Sequence, residues 1–175
     1  MSGVITTSYE RILDSSSKYY KDLYSKINTI QPDILEHFLG KASIPKLFEE
    51  ERLSCEGRII GEGCVKTLDT FENGTTLGKD GIPAEFYKMF WSSVDELMIN
   101  AFNCSFDLGE MSTSQKQAII TLIDKKYKDR MYLENWRPIS LVNTDSKLAS
   151  KVIANRIKKV FLELCHKQTI ILQAL

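Results

Sequence analysis

Apolar residues recur along this chain at two spacings, and the change from one to the other marks out its elements. Tyr9, Ile12, Leu13, Tyr20, Leu23, Tyr24 and Ile27 fall three and four apart with Ser and Lys between them, which predicts an amphipathic helix ending before Gln31-Pro32. Pro32 and Gly40-Lys41 frame a second, short helix through Ile34, Leu35, Phe38 and Leu39. Ile44-Pro45 opens a third, acidic one through Leu47 and Phe48. Glycines at 57, 61, 63, 74, 78 and 81 then interrupt regular structure, although Cys64 to Phe71 holds enough pattern for two helical turns. The run Asn73-Gly74-Thr75-Thr76-Leu77-Gly78-Lys79-Asp80-Gly81 reads as a loop, delivered through Ile82-Pro83 onto a helix that carries Phe86, Tyr87, Phe90 and Trp91. Ser93-Val94-Asp95-Glu96 has the form of a capping box and predicts a separate helix through Leu97, Ala101, Phe102 and Phe106, stopped at Gly109.

Beyond Gly109 the period changes. Gln117 to Ile123 is β-branched and apolar and predicts a buried strand that emerges at Asp124-Lys125-Lys126. Trp136 to Val142 predicts its return partner, with Pro138 confining that strand to an edge or a bulge. The pair forms an antiparallel hairpin with basic residues near its tip. The last element is a long helix with Thr144-Asp145 as its N-cap. Leu148, Val152, Ile153, Ile157, Val160, Phe161 and Leu164 lie on one face of it, and Lys147, Lys151, Arg156, Lys158 and Lys159 on the remainder. The fold class implied is α+β, mainly helical.

Composition narrows the function classes. With 175 residues and 43% hydrophobic content the chain can bury a core, so disorder is excluded as a general description. It has no apolar run long enough to span a membrane and no charged-then-apolar leader, so the expected setting is intracellular, cytoplasm or nucleus. Cys55, Cys64, Cys104 and Cys165 lack CxxC spacing, and His37 and His166 stand in no zinc register with them, so no metal site is expected. The Asn-x-Ser/Thr triplets at Asn73 and Asn103 are set aside for an intracellular chain. The formal net charge of zero conceals a division. Residues 1–115 hold 11 basic and 18 acidic side chains, whereas residues 116–175 hold 12 and 5. A basic C-terminal portion suggests a polyanionic partner, with solvated helix faces as the alternative.

Three ordered blocks carry a more specific signal. Gly78-Lys79-Asp80-Gly81-Ile82-Pro83-Ala84-Glu85-Phe86-Tyr87-Lys88, followed by Phe90-Trp91, resembles a block of the reverse transcriptases of non-LTR retrotransposons, the long interspersed elements and their relatives. Leu122 to Lys126 with Asn135 to Asn143 resembles the same family's second signature, and Lys147 to Lys158 with Gln168-Thr169 its third. The resemblance implies a partial fingers subdomain of a right-hand polymerase over residues 73–175, an antiparallel hairpin packed on helices, preceded by a helical extension over residues 1–72. It implies that Arg137 and Lys125 or Lys126 reach the incoming triphosphate. It also implies that Gly78, Lys79 and Gly81, with Lys147, Lys151 and Arg156, approach the template backbone. An RNA or RNA/DNA backbone and the palm region of a longer product are the partners it suggests, with no membrane.

Two departures bear on activity. Relatives carry a proline-rich Lys-Ser-Pro-Gly-Pro-Asp-Gly type of loop where this chain has Thr75 to Gly81, and after Gln168-Thr169 the match to the family gives way at Ile170 to Leu175. The second departure implies truncation before the palm. Nucleotidyl transfer needs two metal ions about 4 Å apart held by converging carboxylates. In this family an apolar strand bearing aspartate and an aromatic-x-Asp-Asp hairpin supply them. Neither pattern occurs in the sequence, so no catalytic residue is assigned and no polymerase activity is expected of this chain alone. Mg2+ is implied only for the intact polymerase. A helical protein-interaction module, or a translated transposon relic without a selected role, are the alternatives.

Overall fold

The computed structural model describes residues 6–25, 36–37 and 47–173, with the side chains of the last helix described through Phe161. The chain forms two compact units, Met1–Ile44 with Leu122–Ile139, and Pro45–Thr121 with Ser140–Leu175. It is mainly helical, with one small antiparallel sheet of two strands.

In the first unit, α1 (Tyr9–Ser25) follows the predicted amphipathic stretch. Only Tyr20 on it is buried. Its ring stacks against Tyr24 at 6.3 Å and meets Tyr19 edge-on at 5.1 Å, and its hydroxyl donates to the Trp136 carbonyl at 3.5 Å. Burial, then the neighbouring Tyr19 and Tyr24, raise the pKa of that hydroxyl. The helix predicted through Ile34 to Leu39 lies largely outside the described residues.

The second unit is organised by its last helix. Its elements are α2 (Glu49–Cys55), α3 (Gly61–Asp69), α4 (Ala84–Leu108), α5 (Thr113–Lys116) and α6 (Thr144–Gln173), and each of the first four packs on α6. α2 begins one residue after Phe48 and not through it, because the Glu51 carboxylate accepts the Phe48 N–H at 2.7 Å and fixes the helix start there. The core gathers Ile59, Cys64, Leu68, Tyr87, Phe102, Leu148, Ala149 and Val152. Burial pushes the Cys64 thiol up to about 11, against the opposing influence of Arg156, and pushes the Tyr87 hydroxyl up to about 12 with Asp145 and Asp80 adding to it.

Three expectations are corrected here. The break expected at Ser93 does not occur, and α4 runs unbroken through it for 25 residues. Trp91, Val94, Met98 and Ile99 pack against the core from both sides of the expected cap, and this apolar contact outweighs the small helix penalty of serine. The first strand is not buried: β1 (Ala118–Asp124) exposes Ile119, Ile120 and Ile123, since a two-stranded sheet has no second layer to cover both faces. On α6, Leu148, Val152 and Val160 are buried, while Ile153, Ile157 and Phe161 are exposed. The helix also includes Thr144 as its first residue, so the cap falls one residue earlier than predicted.

Gly109 ends α4 as expected, at φ 66°, where a glycine takes the left-handed turn without a Cβ penalty. Asn103 was set aside as a sugar acceptor, and it is buried. Its amide oxygen accepts the Ile59 N–H at 2.8 Å and its amide nitrogen donates to the Ile59 carbonyl at 3.0 Å, so a side chain satisfies a backbone as a neighbouring strand would.

Candidate nucleic-acid interface

The hairpin of β1 and β2 (Trp136–Val142) places its turn in the first unit. The turn is closed by the Lys125 N–H donating to the Asn135 carbonyl at 2.8 Å. Polar contacts brace it internally. Arg130 pairs with Asp124 at 2.7 Å, the Asn135 amide donates to the Asp129 carbonyl at 2.8 Å, and the Trp136 indole donates to the Arg130 carbonyl at 3.0 Å.

The three candidates for triphosphate contact fare differently. Lys125 donates its ammonium to the Glu134 carbonyl at 2.7 Å and so serves the turn. Lys126 and Arg137 are exposed, and neither side chain has a hydrogen-bond or ion-pair partner among the described residues. The ion pair of the hairpin is made within its turn, by Arg130 with Asp124, and not by Arg137. Sequence reasoning had given Arg130 no role; its six-residue separation from Asp124 across a predicted turn was the available signal.

The second unit gathers the loop candidates around Asn143, which is 1% exposed. A Cβ added to Gly78 would lie 2.4–2.6 Å from the Asn143 side-chain oxygen, Cα and N, so only glycine permits this approach. The Asn143 oxygen accepts the Asp80 N–H at 3.3 Å, and its amide nitrogen donates to the Ser114 carbonyl at 3.3 Å and hydroxyl at 3.2 Å. Next to it, Thr144 donates its hydroxyl to the Ile82 carbonyl at 2.8 Å. Loop, α5 and the start of α6 thus meet at one buried amide. Nothing in the sequence pattern singled Asn143 out, because a polar residue between strand and helix reads as a turn.

Several other cations in this unit have local partners, whereas Lys158 and Lys159 are exposed without one among the described residues. Lys79 donates to the Gln117 side chain at 2.6 Å and Lys147 to the Thr76 carbonyl at 3.2 Å. The Lys151 ammonium sits 4.8 Å over the Phe71 ring. Arg156 gives one guanidinium nitrogen to the Gly57 carbonyl and another to the Arg58 carbonyl, both at 2.7 Å. At the far end of the loop, Glu85 accepts the Gly74 N–H at 2.6 Å, which is the chief cause of its lowered pKa, and Lys88 donates to the Phe71 carbonyl and the Asn73 side chain.

The aspartates beside the candidates are occupied locally. Asp80 accepts the Ile82 N–H at 3.1 Å, Asp124 pairs with Arg130, and Asp145 accepts the Ser146 N–H at 2.7 Å. Among the described residues no grouping of His, Cys, Asp and Glu could hold a metal ion. No helix among them is long and apolar enough to cross a membrane. The second unit also bears a mainly apolar groove of about 800 Å3, lined in part by Phe102, Phe106, Met111 and Ile153.

Fold and site together define a mainly helical protein with an exposed basic hairpin and a glycine-pinned loop. In sequence the chain is similar to the transposon TX1 uncharacterized 149 kDa protein of Xenopus laevis, with 30% identity over 157 residues. The match takes in 90% of this chain but 12% of that protein, so the chain corresponds to a small segment of a transposon-encoded protein. No family model matches it.

Proposed function

We propose that this chain derives from a transposon's RNA-directed DNA polymerase, the reverse transcriptase of a non-LTR retrotransposon. In this reading it is the fingers-side portion, which grips nucleic-acid and triphosphate oxygens and does no chemistry alone. The observation that carries the reading is the meeting at Asn143. Gly78 and Asp80 of the first resembling block contact the last residue of the second, and Ile82 is held by Thr144 at the threshold of the third. The first block, the last residues of the second and the start of the third thus meet within one compact unit, which supports reading them as parts of one module.

In this reading Arg137 and Lys126 supply the phosphate contacts, the guanidinium as a bidentate clamp and the ammonium as a point charge. Catalytic carboxylates, and with them Mg2+, belong to the palm of the intact polymerase. The test is titration of the chain with single-stranded RNA at about 50 and 200 mM salt. Binding that falls by orders of magnitude between them is expected of a multi-phosphate contact. No binding at low salt would remove the RNA-gripping role, and magnesium-dependent primer extension by the chain alone would overturn its non-catalytic status.

The apolar groove favours a second reading, a protein-interaction module. A salt-insensitive dimer on size-exclusion chromatography would support it over RNA binding.

A further inference from the structure

At the hairpin turn, Tyr127 adopts φ 62°, the one positive value outside glycine among the described residues. This left-handed region suits glycine or asparagine and is unfavourable for a bulky side chain. Tyr127 is also 103% exposed, so its ring packs on nothing that could offset the backbone cost. An outlier of this kind, with no packing to explain it, points to use by something outside the fold.

The surroundings say what that is. Lys126 and Lys128 flank Tyr127 in sequence, both exposed and with side chains free of partners among the described residues. The turn beneath is held by the Lys128 N–H on the Lys125 carbonyl, by the Met131 N–H on the Asp129 carboxylate, and by the Asp124–Arg130 pair. The braced backbone of this turn loses little further freedom when a planar partner lands on the ring. We propose that Tyr127 is a stacking platform for one base of a single-stranded nucleic acid, with Lys126 and Lys128 on the phosphates to either side. Base-on-aromatic stacking with neighbouring cations is the recurrent chemistry of sequence-tolerant single-strand binding. An anionic membrane is the less suitable partner. Between Leu122 and Ile139 five basic residues are accompanied by three carboxylates, so the turn as a whole is only weakly cationic, whereas single lysines still meet single phosphates.

The proposal rests on the chain binding RNA, as read above, and its test separates the two. Tyr127→Gly keeps a backbone that accepts positive φ and removes the whole side chain; Tyr127→Phe keeps the ring. Anisotropy titration of the full chain with a short labelled single-stranded RNA at low salt should find Tyr127→Gly weakened roughly tenfold, with an unchanged or raised melting temperature, and Tyr127→Phe within about twofold of the parent. If the parent binds and Tyr127→Gly binds equally well, the stacking role is wrong while the fingers reading stands. If the parent does not bind, both fall. Tyr127-dependent sedimentation with phosphatidylserine vesicles, without RNA binding, also overturns the proposal in favour of a membrane contact.

Discussion

Arg156 and Arg137 are the same side chain in opposite circumstances, one in each compact unit. Arg156 lies on α6 with its guanidinium on the backbone carbonyls of Gly57 and Arg58, so it ties α6 to that segment. Arg137 sits in β2 with its charge directed to no protein group among the described residues. The contrast extends to their neighbours: Lys79, Lys147 and Lys151 are engaged locally, whereas Lys126 and Lys128 are not. The basic residues read from sequence therefore fall into two populations, one that holds the fold together and one available to a ligand. Residue type does not separate them; the presence of an acceptor within reach does.

Four measurements test how firmly the second unit is anchored and which cations are free. The largest effect belongs to the loop of the second unit: Gly78→Val forces a branched side chain into the Asn143 backbone and should lower unfolding free energy by about 3 kcal/mol in urea titrations. A change below about 1 kcal/mol would mean the loop is not anchored there. Next in size is an alkaline weakening of the core. Tyr87 is held neutral up to about 12 and Cys64 up to about 11, above their ordinary values of 10.0 and 9.0. Between those limits the unfolded chain has lost protons that the folded chain still holds, so stability falls as pH rises. The share of each group is present below its ordinary value and gone above the raised one. Urea midpoints that stay level from about pH 8 to 11 would contradict this, and Tyr87→Phe should flatten its share.

Arg156→Ala should then destabilise by about 1 kcal/mol through two lost hydrogen bonds, with little change in RNA affinity. Arg137→Ala should do the reverse. Its stability should stay within about 0.5 kcal/mol, while the slope of log affinity against log salt for single-stranded RNA becomes shallower by about 0.7, one phosphate contact. If the two variants exchange these phenotypes, the division between engaged and free cations is wrong.

Much of the architecture was legible because it depends on local rules. The Gly109 stop, the Pro83 entry to α4 and the hairpin over 118–142 each follow from turn chemistry or from a period of two. The seam expected at Ser93 failed because a capping pattern is also compatible with a helix interior, and Val94, Met98 and Ile99 on the core decided between them. The exposure of Ile119 and Ile120 was illegible for another reason: β-branched runs report what a strand prefers, not whether a layer exists to cover it. At the candidate site, Arg137, Lys126 and the Gly78 loop could be named from resemblance. Asn143, Arg130 and Tyr127 could not, since a buried amide, an ion pair within a turn and a left-handed tyrosine are products of tertiary geometry.

The two strands of the hairpin differ in what their outer margins offer another molecule. Pro138 removes one N–H from β2, whereas β1 has a full set of backbone groups beside Ile119 and Ile123, with no third strand pairing to it among the described residues. Such a margin recruits further copies of itself in concentrated solution. Light scattering should therefore rise with protein concentration, and Ile119→Lys should keep the solution clear without shifting the melting temperature.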